Sequence, residues 1–234
     1  MKRKPHSRAV IAVLVLASLP ACSFVNDLIK GKSGPADVDD LVAAVEKVNK
    51  ELDASKASML SAVQGLQSIT APDFQGDAAK AHKDLVKAVE ASEDQADDLR
   101  NRIEEMQAAA APVFDQWTKD LEAYSNPEMR QRSQARLAAA RERYDAVVAA
   151  VDPLLVEYES INQSLRDHVL FLKHDMNPAA IATIQDDVRS VAKDAASLDG
   201  QFNNGRAAAR AYIDSTQQSK GAPADGKAVA VKGP

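Results

Sequence analysis

Residues 36–69 read ADVDDLVAAVEKVNKELDASKASMLSAVQGLQSI, and this stretch decides the fold. Alternating steps of three and four select Val38, Leu41, Val45, Val48, Leu52, Ser55, Met59, Ala62, Leu66 and Ile69. All but Ser55 are apolar, and a seam sustained over more than four heptads predicts a long helix packed against partner helices. Pro35 suits the first turn of such a helix. The run Ala71–Gly76 (APDFQG) ends it with both proline and glycine.

Three further patterns follow. From an N-cap at Asp77 to about Ser125 the seam takes Leu85, Val89, Ala96, Leu99, Ile103, Met106, Ala110, Val113, Trp117, Leu121 and Tyr124. Asn126-Pro127 pairs a capping side chain with proline at the first helical position. The third helix then runs to about Met176 on Leu137, Ala140, Tyr144, Val147, Val151, Leu154, Tyr158, Ile161, Leu165, His168 and Leu172. Asn177-Pro178 repeats the device, and a fourth helix carries Ile181, Ile184, Val188, Val191, Ala195, Leu198, Phe202, Gly205, Ala209 and Tyr212. Pro112 and Pro153 fall inside helices, where the missing N–H and the ring clash predict kinks. Gly200 and Gly205 each weaken the fourth helix by roughly 1 kcal/mol relative to Ala.

Composition agrees. Aromatics are 4%, with Gly 9 and Pro 10 in 234 residues, which is poor material for a sandwich or barrel. The expected fold is all-α: an elongated antiparallel bundle or coiled coil of three to four long helices. One cysteine excludes an internal disulfide framework and a cysteine-built zinc site.

The first residues read as an address. Residues 1–8 (MKRKPHSR) carry four cations and no acid, and residues 9–20 (AVIAVLVLASLP) are apolar. Twelve residues fall short of the roughly 20 that a membrane span needs, so the segment reads as a secretory signal. It ends Leu19-Pro20-Ala21-Cys22, which resembles the lipobox of bacterial lipoproteins. That resemblance implies diacylglyceryl modification and acylation of Cys22, which becomes the new N-terminus. Ser23 beside it resembles cargo sorted to the outer membrane. The expected organisation is a signal peptide at 1–21, a tether at 22–35, a helical bundle at 36–214 and a disordered tail at 215–234, rich in Gly, Pro, Ala, Lys and Ser. Without the four leading cations, 25 Lys plus Arg face 34 Asp plus Glu, a net charge of −9. Such a chain is a poor general nucleic-acid binder.

Two stretches, FDQWTKDLEAYSN at Phe114–Asn126 and RDHVLFLKHDMNPAAI at Arg166–Ile181, resemble the bacterial domain-of-unknown-function 2959 family. The resemblance covers most of residues 40–213. It implies a helical, coiled-coil-like exported protein and brings no catalytic residue with it.

Helix lengths of about 34, 48, 50 and 37 residues, joined by short connections, place the second and third as a projecting hairpin. It would overhang its neighbours by roughly 14 residues, or about 21 Å, at the end where helix one begins. Three-helix packing with a detached first helix is the rival arrangement. The hairpin carries Phe114, Trp117 and Tyr124 on one arm and Arg130, Arg132, Arg136, Arg141 and Arg143 on the other. Trp117 and these five arginines are the candidate contact to membrane or cell wall. The same arginines also fit solvated i,i+4 pairs, the commoner arrangement.

No catalytic or metal chemistry stands out, and no cofactor is expected. Gly31-Lys32-Ser33 lacks the earlier glycine of a phosphate loop, since position 26 is Asn26. His82, His168 and His174 carry no Glu-x-x-His pattern. Glu93, Asp94, Asp97 and Asp98 stack as two i,i+4 carboxylate pairs, which reads as a solvated face rather than a calcium site. The expectation is a non-enzymatic, lipid-anchored envelope protein, placed at the outer membrane facing the periplasm. It would act as spacer, adaptor or envelope-integrity factor through a protein partner or self-association. The alternative is a carrier of an apolar ligand or lipid, held where small residues (Ala96, Ala110, Ala140, Ala195, Gly205) leave room between helices.

Overall fold

The computed structural model describes residues 35–221, and Cys22 with the expected signal and tether lies outside them. Among the described residues there are five helices and no strand: α1 Pro35–Ile69, α2 Ala78–Ala123, α3 Pro127–His174, α4 Pro178–Thr183 and α5 Gln185–Gly221. The three predicted caps are all in use. Asp77 accepts from the Lys80 N–H at 3.0 Å, Asn126 from Glu128 at 2.9 Å, and Asn177 from Ala180 at 3.0 Å. Each side chain satisfies an orphan donor of a helix start.

α1 packs between α2 and α5, and α3 packs between the same two on the opposite side. The four long helices therefore close an up-down-up-down bundle, which settles the choice against a detached first helix. The α1 seam is almost wholly sealed: Leu41, Val45, Val48, Leu52, Met59, Ala62 and Leu66 are completely buried. The seams of α1 and α5 are thus consumed within one chain.

A polar layer crosses the middle of the core. The Tyr158 hydroxyl donates to the Ser92 carbonyl at 2.8 Å, and Asn162 Nδ2 donates to the same oxygen at 3.1 Å. The Ser92 hydroxyl donates to Asn162 Oδ1 at 2.7 Å. The Tyr158 ring meets Phe202 of α5 edge-on at 5.7 Å. Satisfied polar groups at this depth set the relative height and rotation of α2 and α3, because any slip leaves them unpaired.

Two details differ from the periodicity. The fourth helix is not continuous but breaks at Ile184, whose backbone (φ −103°, ψ 3°) leaves the helical path. The seam spacing runs through this point without a mark. The break is held by tertiary contact instead, with Gln185 Nε2 donating to the Thr70 carbonyl at 2.6 Å and Ile184 buried. At the other end α5 continues to Gly221, so residues 215–221, read from composition as tail, are helical. Ser215 and Thr216 donate their hydroxyls back to the Tyr212 carbonyl, both at 2.9 Å.

α2 and α3 run on through Pro112 and Pro153 as single helices. Both prolines sit on the exposed face, where water can serve the carbonyl each leaves unpaired. Gly205 has a packing reason: a Cβ there would lie 3.3 Å from Leu52 and 3.6 Å from Val151, so its bareness lets α5 approach α1 and α3 closely. Gly200 has nothing within 4 Å.

Candidate functional site

The end of the bundle where α1 begins also holds the α2–α3 hairpin. From Asp115 to Arg136 no side chain is buried. Trp117 clamps the two arms, its indole N–H donating to Ser133 Oγ at 2.9 Å. Beyond this clamp α2 runs six residues to Ala123 and α3 begins six residues before Ser133. The projection is therefore about 9 Å at 1.5 Å per residue, shorter than helix lengths alone imply. α5 accounts for the difference, because it reaches this level through Thr216 and goes on to Gly221.

The five arginines do not form one patch. Arg130 donates to the Glu122 carbonyl at 3.1 Å, closing an orphan acceptor in the last turn of α2. Arg132 pairs loosely with Glu128 at 3.8 Å, both about four-fifths exposed, and such a pair contributes little. Arg141 stitches α3 to α2: it donates to Thr118 Oγ1 at 2.9 Å and to the Phe114 carbonyl at 3.3 Å, with its guanidinium 5.6 Å from the Phe114 ring centre.

Arg136 and Arg143 differ from these three. They edge a groove of about 380 Å³ between the helices. Val38 comes from α1, Val113, Phe114 and Trp117 from α2, Ala139 and Ala140 from α3, and Tyr212 and Thr216 from α5. Behind it stands an aromatic ladder: Phe114 and Tyr144 have ring centres 5.4 Å apart, and Tyr144 and Tyr212 are 6.3 Å apart. Burial pushes both tyrosine hydroxyls up to about 12; nearby Arg143 acts on Tyr212 in the opposite direction. The Arg143 Nε is shielded from solvent and has no hydrogen-bond partner.

Of the small seam residues, Ala140 alone lines this groove. Ala96, Ala110 and Ala195 are buried in the core, and Leu52 and Val151 occupy the space beside Gly205. A larger groove of about 710 Å³ between α3 and α5 is polar, with Glu157, Asp167, Asp187 and Asp194 on its walls. A third, of about 350 Å³, lies at the opposite end beside Phe74, Met176 and Ile181.

The histidines serve the frame. His82 Nε2 donates to the Val169 carbonyl at 3.0 Å, joining α2 to α3, and buried His168 donates through Nδ1 to the Ser164 carbonyl at 2.7 Å. The acidic stack is partly neutralised: Glu93 takes Arg166 and Asp97 takes Arg100, each at 2.5 Å. Among the described residues no group of three or more His, Cys, Asp and Glu converges as a metal cage, and no helix is long and apolar enough to cross a membrane.

Fold and site together define an all-α four-helix bundle with an open, cation-edged groove at one end. Residues 30–216 match the family described as "Protein of unknown function (DUF2959)", and the chain belongs to that family. No curated protein and no solved structure matches the chain.

Proposed function

We propose that this protein is a lipid-anchored spacer or adaptor of the bacterial cell envelope, working without catalysis through its outer faces. The observation that carries this is the self-sufficiency of the bundle. Its apolar seams are spent within one chain, and the longest helix, 48 residues, spans about 72 Å. What remains outward is charged; Met129, Val156 and Leu170 are the large apolar side chains exposed among the described residues. A stiff body of this kind suits holding two things apart better than turning one over.

The anchor is Cys22. Several acyl chains, each contributing about 0.8 kcal/mol per buried CH₂, would hold the mature protein firmly in the outer membrane. Since α1 starts beside the hairpin, the anchored end would bring Met129, Arg130 and Arg132 toward the headgroups, while partner proteins meet the outer faces.

Mass analysis of the protein isolated from its own membranes tests the anchor. The expected species begins at Cys22 and carries a thioether-linked diacylglyceryl group; a free thiol there overturns the reading. Crosslinking in intact cells tests the adaptor role. The expected products join this chain to a second protein or a second copy, and an exclusively uncrosslinked 234-residue product or its processed form argues against it.

A further inference from the structure

We infer that the groove edged by Arg136 and Arg143 binds a single-chain amphiphile with an anionic head, a fatty carboxylate of about ten carbons. The inference does not depend on the envelope reading. The wall is apolar: Val38, Phe114, Trp117, Ala140 and Tyr212 come from all four long helices, a geometry suited to a flexible hydrocarbon tail. About 380 Å³ lies at the lower part of the range of roughly 300–1,000 Å³ usual for ligand pockets, room for one tail rather than two.

The edge selects the head. Six arginines of this bundle (Arg100, Arg102, Arg132, Arg166, Arg189 and Arg206) are paired with carboxylates. Arg136 and Arg143 take part in no ion pair among the described residues. Arg143 also keeps one desolvated N–H without an acceptor. The Nε of ion-paired Arg206 is shielded in the same way, so what sets Arg136 and Arg143 apart is the missing carboxylate, which an anionic head supplies through the parallel hydrogen bonds that a guanidinium fork is shaped to give. The other grooves lack this combination. The α3–α5 groove presents carboxylates that repel an anion, and the one beside Phe74 has no cation on its wall.

The chain supplies its own reporter, since Trp117 is its single tryptophan and lines the groove. The full chain is titrated with decanoate while Trp117 emission is followed, with 1-decanol as the neutral analogue and anionic phospholipid vesicles as the bilayer arm. The expected result is a saturable change with decanoate and a response about tenfold weaker with decanol, the loss of one strong charge-assisted contact. Arg136→Gln/Arg143→Gln weakens decanoate binding to a similar degree with unchanged helicity. Ala140→Leu, which fills the groove and keeps both cations, abolishes it. Should the double variant not fold, Arg136→Gln alone, at an exposed position, carries the charge test. No saturable change, equal affinity for decanol, unweakened binding by the arginine variants, or a response to vesicles alone each overturns the inference.

Discussion

Among the side-chain hydrogen bonds that join α2 and α3, two contacts behave as opposites. At Ser92, Tyr158 and Asn162 the contact lies in a sealed core, with Ser92 and Tyr158 fully buried. At Trp117 and Ser133 a bond of ordinary length, 2.9 Å, sits in a half-open hairpin where water competes for both partners. The difference teaches that the energy of these contacts comes from what surrounds them. In the core an unmade bond leaves a desolvated group; at the tip, water replaces it.

The contrast can be broken by mutation. The largest effect is expected where the polar layer meets α5: Phe202→Ala empties a fully buried site against Tyr158 and should destabilise by about 3–5 kcal/mol in urea unfolding. Asn162→Ala takes the 2.7 Å acceptor from the Ser92 hydroxyl, leaves it the Tyr158 hydroxyl at 3.1 Å, and should cost about 1–3 kcal/mol. Ser133→Ala, its counterpart at the tip, should cost under about 0.5 kcal/mol; equal losses for the two would refute the comparison.

The layer should also show in pH dependence. Burial raises the Tyr158 hydroxyl to about 12, as it does Tyr144 and Tyr212. The neutral form is thus favoured in the folded state. Its contribution is complete below the unfolded value near 10 and is lost as pH rises from 10 toward 12. Thermal unfolding across that window should show stability falling, with a shallower fall in Tyr158→Phe. A small gain is expected from Gly200→Ala, about 1 kcal/mol or less, because nothing opposes the added methyl. Gly205→Ala should not share it, since Leu52 stands 3.3 Å from the new atom.

Much of the fold was legible from residue spacing. The α1 seam names its core almost side chain for side chain, and the three caps begin their helices where expected. His168 too appeared as a seam residue, and its bond to the Ser164 carbonyl accounts for the polar ring inside. Ser92 left a trace, a polar step between Val89 and Ala96 that is easily passed over. Asn162, beside the seam residue Ile161, left none; it faces Ser92 only through the rotation of α3 against α2. The candidate site was legible by composition and not by arrangement. Five arginines in 14 residues look alike in the chain, yet one caps a helix, one pairs in solvent, one bridges two helices and two edge a groove.

Apolar periodicity, capping side chains and the scarcity of turn-forming and aromatic residues determined by themselves that this protein is a set of long packed helices, because those signals act within a few residues of one another. Helix order around the core, the break at Ile184, the extent of α5 and the separation of Arg136 and Arg143 from their neighbours were decided only in three dimensions. Each depends on a surface supplied from far along the chain: Thr70 for Gln185, Leu52 for Gly205, Val38 and Tyr212 for the groove. Local spacing carries no information about which distant face completes a contact.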